Sequence, residues 1–365
     1  MYLATSILNP SILFFNINGS GLGHLNRCLA YARQVQDKAR PYFFSLASAM
    51  EVIHSFGFEG DYFVSHFWSD NSTFAWNSEL ALRLGLVLEH IRPQVLVFDG
   101  PWPYQGFIKA CRAYKDDLAL VWSYRGLLKA EAQKPTVDPD FFDLVLRPGE
   151  LGAVPKESIL PGGTRELLVP PVCLLADHEL YTRDQARQKL GLELDKKYAL
   201  FSLGPGNIKD VTSIGHGLLH EFTQSGLTIL WARPPIAVRD VELPAGVQPL
   251  SMYPLVRYLR AFDVFVGAAG YNTCCEVVQA GIPSLLVPNE HLADDQTKRA
   301  QMVAQHIPAI VSGCDTKSKQ HLAVKEILAL VEQNTDTLIK PSLPMHGAQL
   351  AAKALLTLAF GVATG

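Results

Sequence analysis

One stretch in the second half of the chain constrains the fold more than any other. Residues 263–267 (Asp-Val-Phe-Val-Gly) and 284–288 (Ser-Leu-Leu-Val-Pro) are short apolar runs of the kind found in buried parallel strands. Between them lie the small-residue turn 268–272 and a helical segment, 273–280, that ends at Gly281. The stretch therefore predicts a strand–helix–strand unit whose helix begins at a glycine turn.

The side chains at that glycine turn are placed to bind a nucleotide. A helix that begins just after Gly270 offers free backbone N–H groups and the positive end of its dipole, which together bind phosphate. We expect Asn272 and Thr273 in the cap position, where they can also donate to phosphate oxygens. Glu276, one turn later, is placed to accept hydrogen bonds from two ribose hydroxyls. The turn is therefore a candidate nucleotide site.

A polar loop after the second apolar run extends this pattern. Asp295 and Gln296 can bind the hydroxyls of a sugar in the same way. Phosphate, ribose and sugar ligands in this order describe a nucleotide-sugar. A lone glycine turn more often belongs to a plain strand–helix–strand unit with a capped helix, and it is the order of the polar groups that favours the nucleotide-sugar.

On these residues the stretch resembles the donor-binding segment of GT-B glycosyltransferases, in particular the C-terminal domain of the MurG-like family 28. The matching positions are Gly270-Tyr271-Asn272-Thr273-x-x-Glu276, Gly281-x-Pro283, Val287-Pro288 and Asp295-Gln296. Two positions depart from the patterns. Ala268 stands where UDP-sugar transferases often have a phosphate-binding histidine, and Arg299 stands where the family-28 pattern has asparagine.

The resemblance implies an α/β protein with the GT-B fold, in which two Rossmann-like domains face each other across a cleft. An N-terminal acceptor domain (1–170) is expected to precede a C-terminal nucleotide-sugar domain (171–345) and a helix (346–365) that crosses back to the first domain. A UDP-sugar is the expected co-substrate, and the acceptor is a small molecule, a glycan or a lipid-linked sugar. The resemblance implies no metal and no other cofactor.

Length and chain composition agree with two domains. A chain of 365 residues exceeds an ordinary single domain, and the Pro-rich segment 169–175 is expected to hold the linker and the first strand after it. Residues 142–146 are then expected to form the last strand of the N-terminal domain. The hydrophobic content of 48% and the charged content of 18% indicate a well-cored globular protein.

Charge and cysteine usage exclude other classes. Residues 1–170 carry 15 basic and 17 acidic side chains and the remainder 17 and 18, so no basic face for nucleic acid is indicated. Six cysteines without metal-ligand spacing predict free buried thiols in a reducing cytoplasm. The N-terminus lacks the features of a signal peptide, and no apolar run reaches the ~18 residues of a membrane span. We expect a cytoplasmic protein, with a peripheral membrane contact still compatible.

The first predicted strand, 11–17, runs into a loop with Gly19, Gly21 and Gly23 and then into a helix. Glycines at this point let a ligand approach the backbone closely, so Gly21 and Gly23 are candidate acceptor-binding residues. The loop would also suit NAD. However, the dinucleotide fingerprint expects Gly or Ala near His24 and an acid at the end of the second strand, and the sequence provides neither.

His24 is the candidate catalytic base. It follows the first strand and should face the cleft, where a neutral imidazole can take a proton from a hydroxyl or from water. A histidine here can equally cap its helix. Asp99, which ends a predicted strand over 94–99, is placed to orient His24 or to bind an acceptor hydroxyl, although a helix-capping role is as well supported.

The loop around His24 carries a second resemblance. The run Gly21-Leu22-Gly23-His24-Leu25-Asn26-Arg27-Cys28-Leu29 is similar to family-28 enzymes and also to the UDP-sugar hydrolases of pseudaminic acid synthesis. In those hydrolases the histidine activates water. The resemblance therefore adds a hydrolase as an alternative function.

Further candidates for acceptor recognition lie in the N-terminal half. Trp102 and Tyr104 belong to a rigid aromatic loop that suits a sugar ring or another flat face. Arg125 follows a predicted strand and can meet a phosphate or a carboxylate, with ordinary surface charge as the alternative. Residues 67–77 read as a loop of mixed aromatic and polar residues ahead of a helix over 78–91.

The remaining donor candidates lie at or just beyond the ends of predicted strands in the C-terminal half. They are Gly204, Gly206, Asn207, Arg233, Met252 and Tyr253. By the family-28 resemblance, the turn at Gly204 faces the donor diphosphate and sugar, and main-chain groups near Met252 wrap the uracil. Arg233 is placed to pair with the diphosphate.

The sequence therefore predicts a metal-independent glycosyltransferase that moves a sugar from a UDP-sugar to an unidentified acceptor. A nucleotide-sugar hydrolase in which His24 activates water is the first alternative. A nucleotide-sugar-binding subunit without turnover is the second, and an NAD-binding protein ranks last.

Overall fold

Two parallel sheets organise the part of the chain that the computed structural model describes. The described residues are 9–18, 21–124, 126–127, 129, 141–204, 212–237, 242–289, 294–333 and 343–362. Helices connect most of the parallel strands and pack on the sheets, as expected where both sheet faces are buried. The predicted α/β class is confirmed.

The first sheet has eight strands within the described residues. They are β1 (Ser11–Asn16), β2 (Arg40–Ser45), β3 (Glu59–Tyr62), β4 (Val95–Asp99), β5 (Ala119–Ser123), β6 (Leu144–Pro148), β7 (Lys156–Ile159) and β8 (Arg165–Val169). Their spatial order is β3-β2-β1-β4-β5-β6-β8-β7, and neighbouring strands are parallel except β7 and β8. The chain thus runs outward from β1 to β3 and then returns to β4 on the other side of β1.

Four α-helices lie between the strands of this sheet in the described part of the chain. They are α1 (Gly23–Val35), α2 (Met50–Ser55), α3 (Thr73–Ile91) and α4 (Gln105–Arg112). Phe14 packs in the cluster that contains α1, and Phe15 packs in the cluster that contains α3 and α4. Successive residues of a strand point to opposite faces, so both faces of β1 are buried.

The second sheet has six strands, all parallel, within the described residues. They are β9 (Tyr198–Ser202), β10 (Thr228–Ala232), β11 (Val247–Leu250), β12 (Val264–Ala268), β13 (Ser284–Val287) and β14 (Ala309–Val311), in the spatial order β11-β10-β9-β12-β13-β14. The helices of this half are α5 (Arg183–Leu190), α6 (Thr212–Thr223), α7 (Tyr271–Ala280), α8 (Gln296–Val303) and α9 (Lys317–Gln333). The predicted strand–helix–strand unit is confirmed as β12, α7 and β13, and α7 ends at Gly281 in the left-handed conformation.

The last helix, α10 (Gly347–Val362), packs against α1 and against strands of the first sheet. A Cβ atom at Gly347 would come within 2.0 Å of the carbonyl oxygen of Pro170, so only glycine permits this close approach. Val172 and His346 form an isolated antiparallel bridge beside it. These contacts fix where the chain re-enters the first half, while the boundary at residue 170 stays a prediction.

Three predicted elements differ from the structure. Helix α3 begins at Thr73, so Trp76 lies in a helix, fully buried, with its indole N–H donating to the carbonyl of Val64. The last strand of the first sheet along the chain is β8, not the strand predicted over 142–146. The sequence pattern did not reveal β7 and β8, because both are partly exposed and lack the apolar run that marks a buried strand. In the segment 169–175, Val169 ends β8 and Val172 forms an isolated bridge, so the strand predicted after the linker does not form there.

Both sheets reverse their strand order at a central position. In such sheets ligands bind outside the carboxyl ends of the strands at this reversal. In the first sheet the reversal lies between β1 and β4, and in the second between β9 and β12. His24 follows β1, Asp99 ends β4 and Gly270 follows β12, so three sequence candidates stand at the two reversals.

Candidate functional site

His24 and Asp99 form a hydrogen-bonded pair. His24 is the second residue of α1, and Asp99 is the last residue of β4. The His24 Nδ1 atom lies 2.6 Å from Asp99 Oδ1. The aspartate is fully buried, whereas the histidine side chain is 23% exposed. The pair therefore has one end in the protein interior and one end toward solvent.

Asp99 accepts hydrogen bonds from two further side chains. Arg27 donates from Nε to Oδ2 (3.0 Å) and from Nη2 to Oδ1 (2.6 Å), and the Ser123 hydroxyl donates to Oδ2 (2.7 Å). Burial by itself would raise the pKa of Asp99, but the charge of Arg27 and the hydrogen bonds from His24 and Arg27 lower it to about 2. Asp99 is therefore a permanent anion at neutral pH.

This geometry fixes the tautomer of the imidazole. At 2.6 Å from an ionised carboxylate oxygen, Nδ1 must carry a proton and donate it to Asp99. The basic lone pair of neutral His24 is then on Nε2, the ring nitrogen away from Asp99. That arrangement is the one in which a carboxylate orients a histidine as a general base.

The start of α7 lies against the start of α1. The amide Nδ2 of Asn272 is 3.5 Å from the carbonyl oxygen of Gly23, the residue before His24. Neither helix has a side-chain cap or an acidic residue in its first turn. Two positive helix ends thus meet without a protein anion in either first turn, an arrangement suited to an anionic ligand.

The cap residue of α7 differs from the prediction. Gly270, not Asn272 or Thr273, is the cap, because the helix already begins at Tyr271. The Tyr271 hydroxyl is held between the two halves of the chain: it accepts from the backbone N–H of Val172 and donates to the carbonyl of Gly149, each at 3.0 Å. Asn272 and Thr273 consequently sit inside the first turn rather than before it.

Three glycines beside these helix starts are not required by the fold. A Cβ atom built on Gly21 or Gly23 meets no atom within 4 Å, and one on Gly270 meets only the Thr273 hydroxyl, at 3.8 Å. None of the three has a φ in the left-handed region that favours glycine. Gly204, by contrast, has φ +103 and needs glycine for its conformation. Space is therefore open in front of the backbone at the site, as a closely approaching ligand requires.

Glu276 lies one turn further along α7, close enough to Tyr253 for its charge to act on the phenol. The half-buried Glu276 has its pKa raised by burial to about 8. Burial and the nearby charge of Glu276 raise the pKa of Tyr253. The Tyr253 hydroxyl donates to Asn26 Oδ1 across the interface (2.6 Å), so this predicted donor residue also joins the two halves. Met252 beside it is half-buried.

The other donor candidates are positioned less directly. Asp295 caps α8 by accepting from the backbone N–H of Lys298 (3.0 Å), and Gln296 Oε1 accepts from the N–H of Asn289 (2.9 Å). Arg233 is exposed at the end of β10. Gly206 and Asn207, like the acceptor candidate Arg125, lie outside the described residues.

The aromatic loop after β4 is divided between surface and core. Trp102 is 46% exposed. Tyr104 packs edge-on against Trp76, with ring centroids 4.9 Å apart, and is half-buried. Trp102 is therefore the better placed of the two for a ligand in solution.

Sequence reasoning missed Arg27 and Ser123. Arg27 follows His24 by three residues, a spacing that puts both on one helix face. Ser123 ends β5 in register with Asp99 on β4. The helical spacing was readable in the sequence, but the strand register needed the sheet.

Arg299, which departs from the family-28 pattern, is buried at the interface. It donates to both carboxylate oxygens of Glu150 (2.8 Å each) and to both of Asp294 (2.7 and 2.9 Å). Its remaining N–H reaches the carbonyl of Ala269 at 3.3 Å. All five N–H donors of the guanidinium are thus engaged in protein contacts, and the two bonds to Glu150 join the halves of the chain.

From the sequence we expect no metal site, free buried cysteines and no membrane-spanning helix. Among the described residues, no three His, Cys, Asp or Glu side chains are grouped to hold a metal ion. The sequence contains an Asp-x-Asp pair, Asp138 and Asp140, outside the described residues, so metal independence stays a prediction. All six cysteines are free and buried, as predicted. Of the helices in the described ranges, none has the length and apolar character of a membrane span.

Comparison with known proteins finds similarity in the second half of the chain. Residues 247–354 match the glycosyltransferase family 28 C-terminal domain. The UDP-N-acetylglucosamine--N-acetylmuramyl-(pentapeptide) pyrophosphoryl-undecaprenol N-acetylglucosamine transferase of Bacillus licheniformis is 39% identical over 66 residues, 18% of each chain. The protein of the same name from Listeria welshimeri is 24% identical over 188 residues, 48% of this chain and 51% of the relative. The chain thus spans between about a fifth and a half of the length of these curated relatives.

A solved structure extends the comparison to the whole fold. MurG from Acinetobacter baumannii aligns with a TM-score of 0.55 over 96% of this chain and 99% of that chain, at 14% identity. At this identity the likeness concerns the fold, which is GT-B. The chain therefore has the GT-B fold, and residues 247–354 of its second half resemble the C-terminal domain of glycosyltransferase family 28.

Proposed function

We propose that the protein is a glycosyltransferase that takes a sugar from a nucleotide-sugar, UDP-sugars first, and transfers it to an acceptor hydroxyl. The single observation that carries the proposal is the contact between Gly23 and Asn272. The His24–Asp99 pair of the first sheet thereby lies beside the start of α7 in the second, which has no side-chain cap. A base and an anion site therefore share one space.

The donor is assigned to the second half. The diphosphate would rest at the start of α7, where backbone N–H groups and the helix dipole stabilise negative charge. Glu276, one turn further, would accept hydrogen bonds from the ribose hydroxyls. UDP is the first nucleotide to test, because the relatives with matching segments are named as UDP-N-acetylglucosamine transferases.

The chemical step would use His24 as general base. Nε2 would take the proton of the acceptor hydroxyl while that oxygen forms a bond to the anomeric carbon of the sugar. The bond from the anomeric carbon to the diphosphate oxygen breaks at the same time, and the electron pair leaves with the diphosphate. Fixed N–H groups at the start of α7 would stabilise that leaving group without having to reorient.

The acceptor is left open by the same reasoning. The family match covers residues 247–354, in the half to which we assign the donor, whereas the candidate acceptor residues lie in the first half. The relatives are named for a pyrophosphoryl-undecaprenol acceptor, so a lipid-linked sugar belongs in the first acceptor panel, next to small molecules and glycans. Exposed Trp102 offers a flat face for such an acceptor.

A thermal-shift screen tests the donor assignment. Candidates are UDP, GDP, dTDP, NAD and UDP-N-acetylglucosamine. A ligand at a hundred times its Kd adds about 2.7 kcal/mol to the free energy of unfolding. We expect UDP and its sugar to give the largest shift, and Glu276→Ala to reduce it. A largest shift with NAD, or no shift with any nucleotide, would refute the assignment.

Turnover tests the catalytic assignment. UDP release from UDP-N-acetylglucosamine is measured with and without the acceptor panel, in wild type and in His24→Ala. Acceptor-dependent release that His24→Ala abolishes, with UDP binding retained, supports the transferase. Stoichiometric release of free sugar without acceptor would instead indicate the hydrolase, and tight UDP binding without any turnover a binding subunit.

A further inference from the structure

Arg27 is placed to act on the His24–Asp99 pair from inside the protein. It follows His24 by one helical turn and is 3% exposed. Its Nε atom donates to Asp99 Oδ2 at 3.0 Å, and its Nη2 atom donates to Asp99 Oδ1 at 2.6 Å. The same Nη2 lies 3.0 Å from His24 Nδ1, and the guanidinium carbon lies 5.9 Å from the ring centroid of Tyr271.

Arg27 and His24 share one acceptor. Both approach Asp99 Oδ1, each at 2.6 Å. Because Nδ1 of His24 carries a proton, it cannot accept a hydrogen bond from Nη2 of Arg27. The contact between the two nitrogens therefore places the positive guanidinium directly beside the imidazole. A positive charge at that distance disfavours the imidazolium form of His24.

The charge balance around the pair follows from its neighbours. A buried carboxylate beside a histidine normally favours the protonated imidazolium, which is useless as a base. Here the positive charge of Arg27 already balances Asp99, so protonation of the His24 imidazole is not needed to balance it. Among the residues that the structure describes, the other ionisable groups that face this cluster are Tyr31 and Cys28 from α1 and Tyr271 from α7. Burial raises the pKa of each, so they remain neutral.

We propose that Arg27 is a positioning residue that keeps His24 neutral, so that Nε2 is available as a base near neutral pH. Its charge balances Asp99, and its two-pronged contact holds Oδ1 in line with Nδ1. The assignment rests on the proposed role of His24 but concerns a property of the free protein. It can therefore be tested without a substrate.

The test is an NMR titration of His24 in the full-length protein with labelled histidine. The His24 signal is assigned by its loss in His24→Gln. Arg27→Gln removes the charge and keeps an amide NH2 donor, whereas Arg27→Lys keeps the charge and removes the two-pronged contact. Arg33→Met is the matched control, because Arg33 lies on the same helix and pairs with Glu179 away from the site.

We expect Arg27→Gln to raise the pKa of His24 by about one unit or more, a tenfold change in its ionisation constant. Arg27→Lys should leave it within a few tenths of wild type, and Arg33→Met should not change it. In wild type, nitrogen chemical shifts should report the proton on Nδ1.

An unchanged His24 pKa in Arg27→Gln, or an equal shift in Arg33→Met, would overturn the assignment. Should Arg27→Gln fail to fold, Arg27→Lys decides: a wild-type titration supports the charge argument, and a shift of about one unit or more refutes it. A protein that gives the expected titrations and turns over no nucleotide-sugar would keep the assignment of Arg27 and lose the proposed function.

Discussion

Replacing Glu276 by glutamine should change how the stability of the protein depends on pH. Burial raises the pKa of this carboxyl from the ordinary 4.5 to about 8 in the folded protein. Below pH 4.5 the carboxyl is neutral in both folded and unfolded chains. Between pH 4.5 and 8 the unfolded chain releases the proton and the folded protein keeps it, so the free energy of unfolding falls as pH rises.

The size of the effect follows from the same two values. Each tenfold change in an ionisation constant corresponds to about 1.36 kcal/mol, so the full change would be about 5 kcal/mol. The side chain is half-buried, and solvent at its exposed part reduces this. We expect wild type to lose on the order of 2 kcal/mol between pH 5 and pH 8 that Glu276→Gln does not lose.

Urea unfolding at pH 5 and pH 8 measures this difference. Glu332→Gln is the control, since Glu332 is exposed on α9 in the same half and should behave like wild type. Glu276→Gln should be more stable than wild type at pH 8 and similar to it at pH 5. The reasoning is refuted if the two proteins show the same pH dependence, or if the glutamine variant is the less stable one at pH 8.

Two further predictions follow from the open glycines and the buried arginine. Gly270→Ala should change stability by less than about 1 kcal/mol, because its Cβ has room, and should weaken UDP binding at least about tenfold; Gly204→Ala, at φ +103, should instead lose about 1–3 kcal/mol of stability. Calorimetry and thermal unfolding distinguish the two, and unchanged UDP affinity in Gly270→Ala would contradict an anion site there. Glu150→Gln should lower the free energy of unfolding by about 1–2 kcal/mol. This is less than the roughly 3–5 kcal/mol typical of a lone buried pair, because Asp294 still balances Arg299. Glu89→Gln, which breaks an exposed pair, should lower it by less than about 1 kcal/mol. Equal thermal midpoints for the last two variants would argue against an interdomain ion pair at Arg299.

Local patterns in the sequence were sufficient for much of the fold. The apolar runs around 263–288 predicted β12, α7 and β13 because buried parallel strands and a glycine-terminated helix each have a short-range signature. The same patterns failed for Trp76, whose polar neighbours resemble a loop although Ser72 caps the helix that contains it. They failed again for β7 and β8, which are too exposed to be apolar.

The candidate site also has residues that the sequence revealed and contacts that it did not. His24 and Asp99 were found because each stands at the end of a predicted strand or in the loop that follows one. The contacts that give them their chemistry join distant positions: Ser123 reaches Asp99 through strand register, and Glu150 reaches Arg299 across the interface. No periodicity along the chain encodes such pairings, so they required the folded structure.

The most direct measurement is a UDP titration followed at the backbone amide signals of Asn272 and Thr273 and at the His24 ring. We expect all three signals to respond with one common Kd, and Glu276→Ala to raise that Kd while Glu332→Gln leaves it unchanged. Saturable UDP binding that leaves the amides at the start of α7 unperturbed would contradict this expectation, because the nucleotide would then occupy another part of the protein.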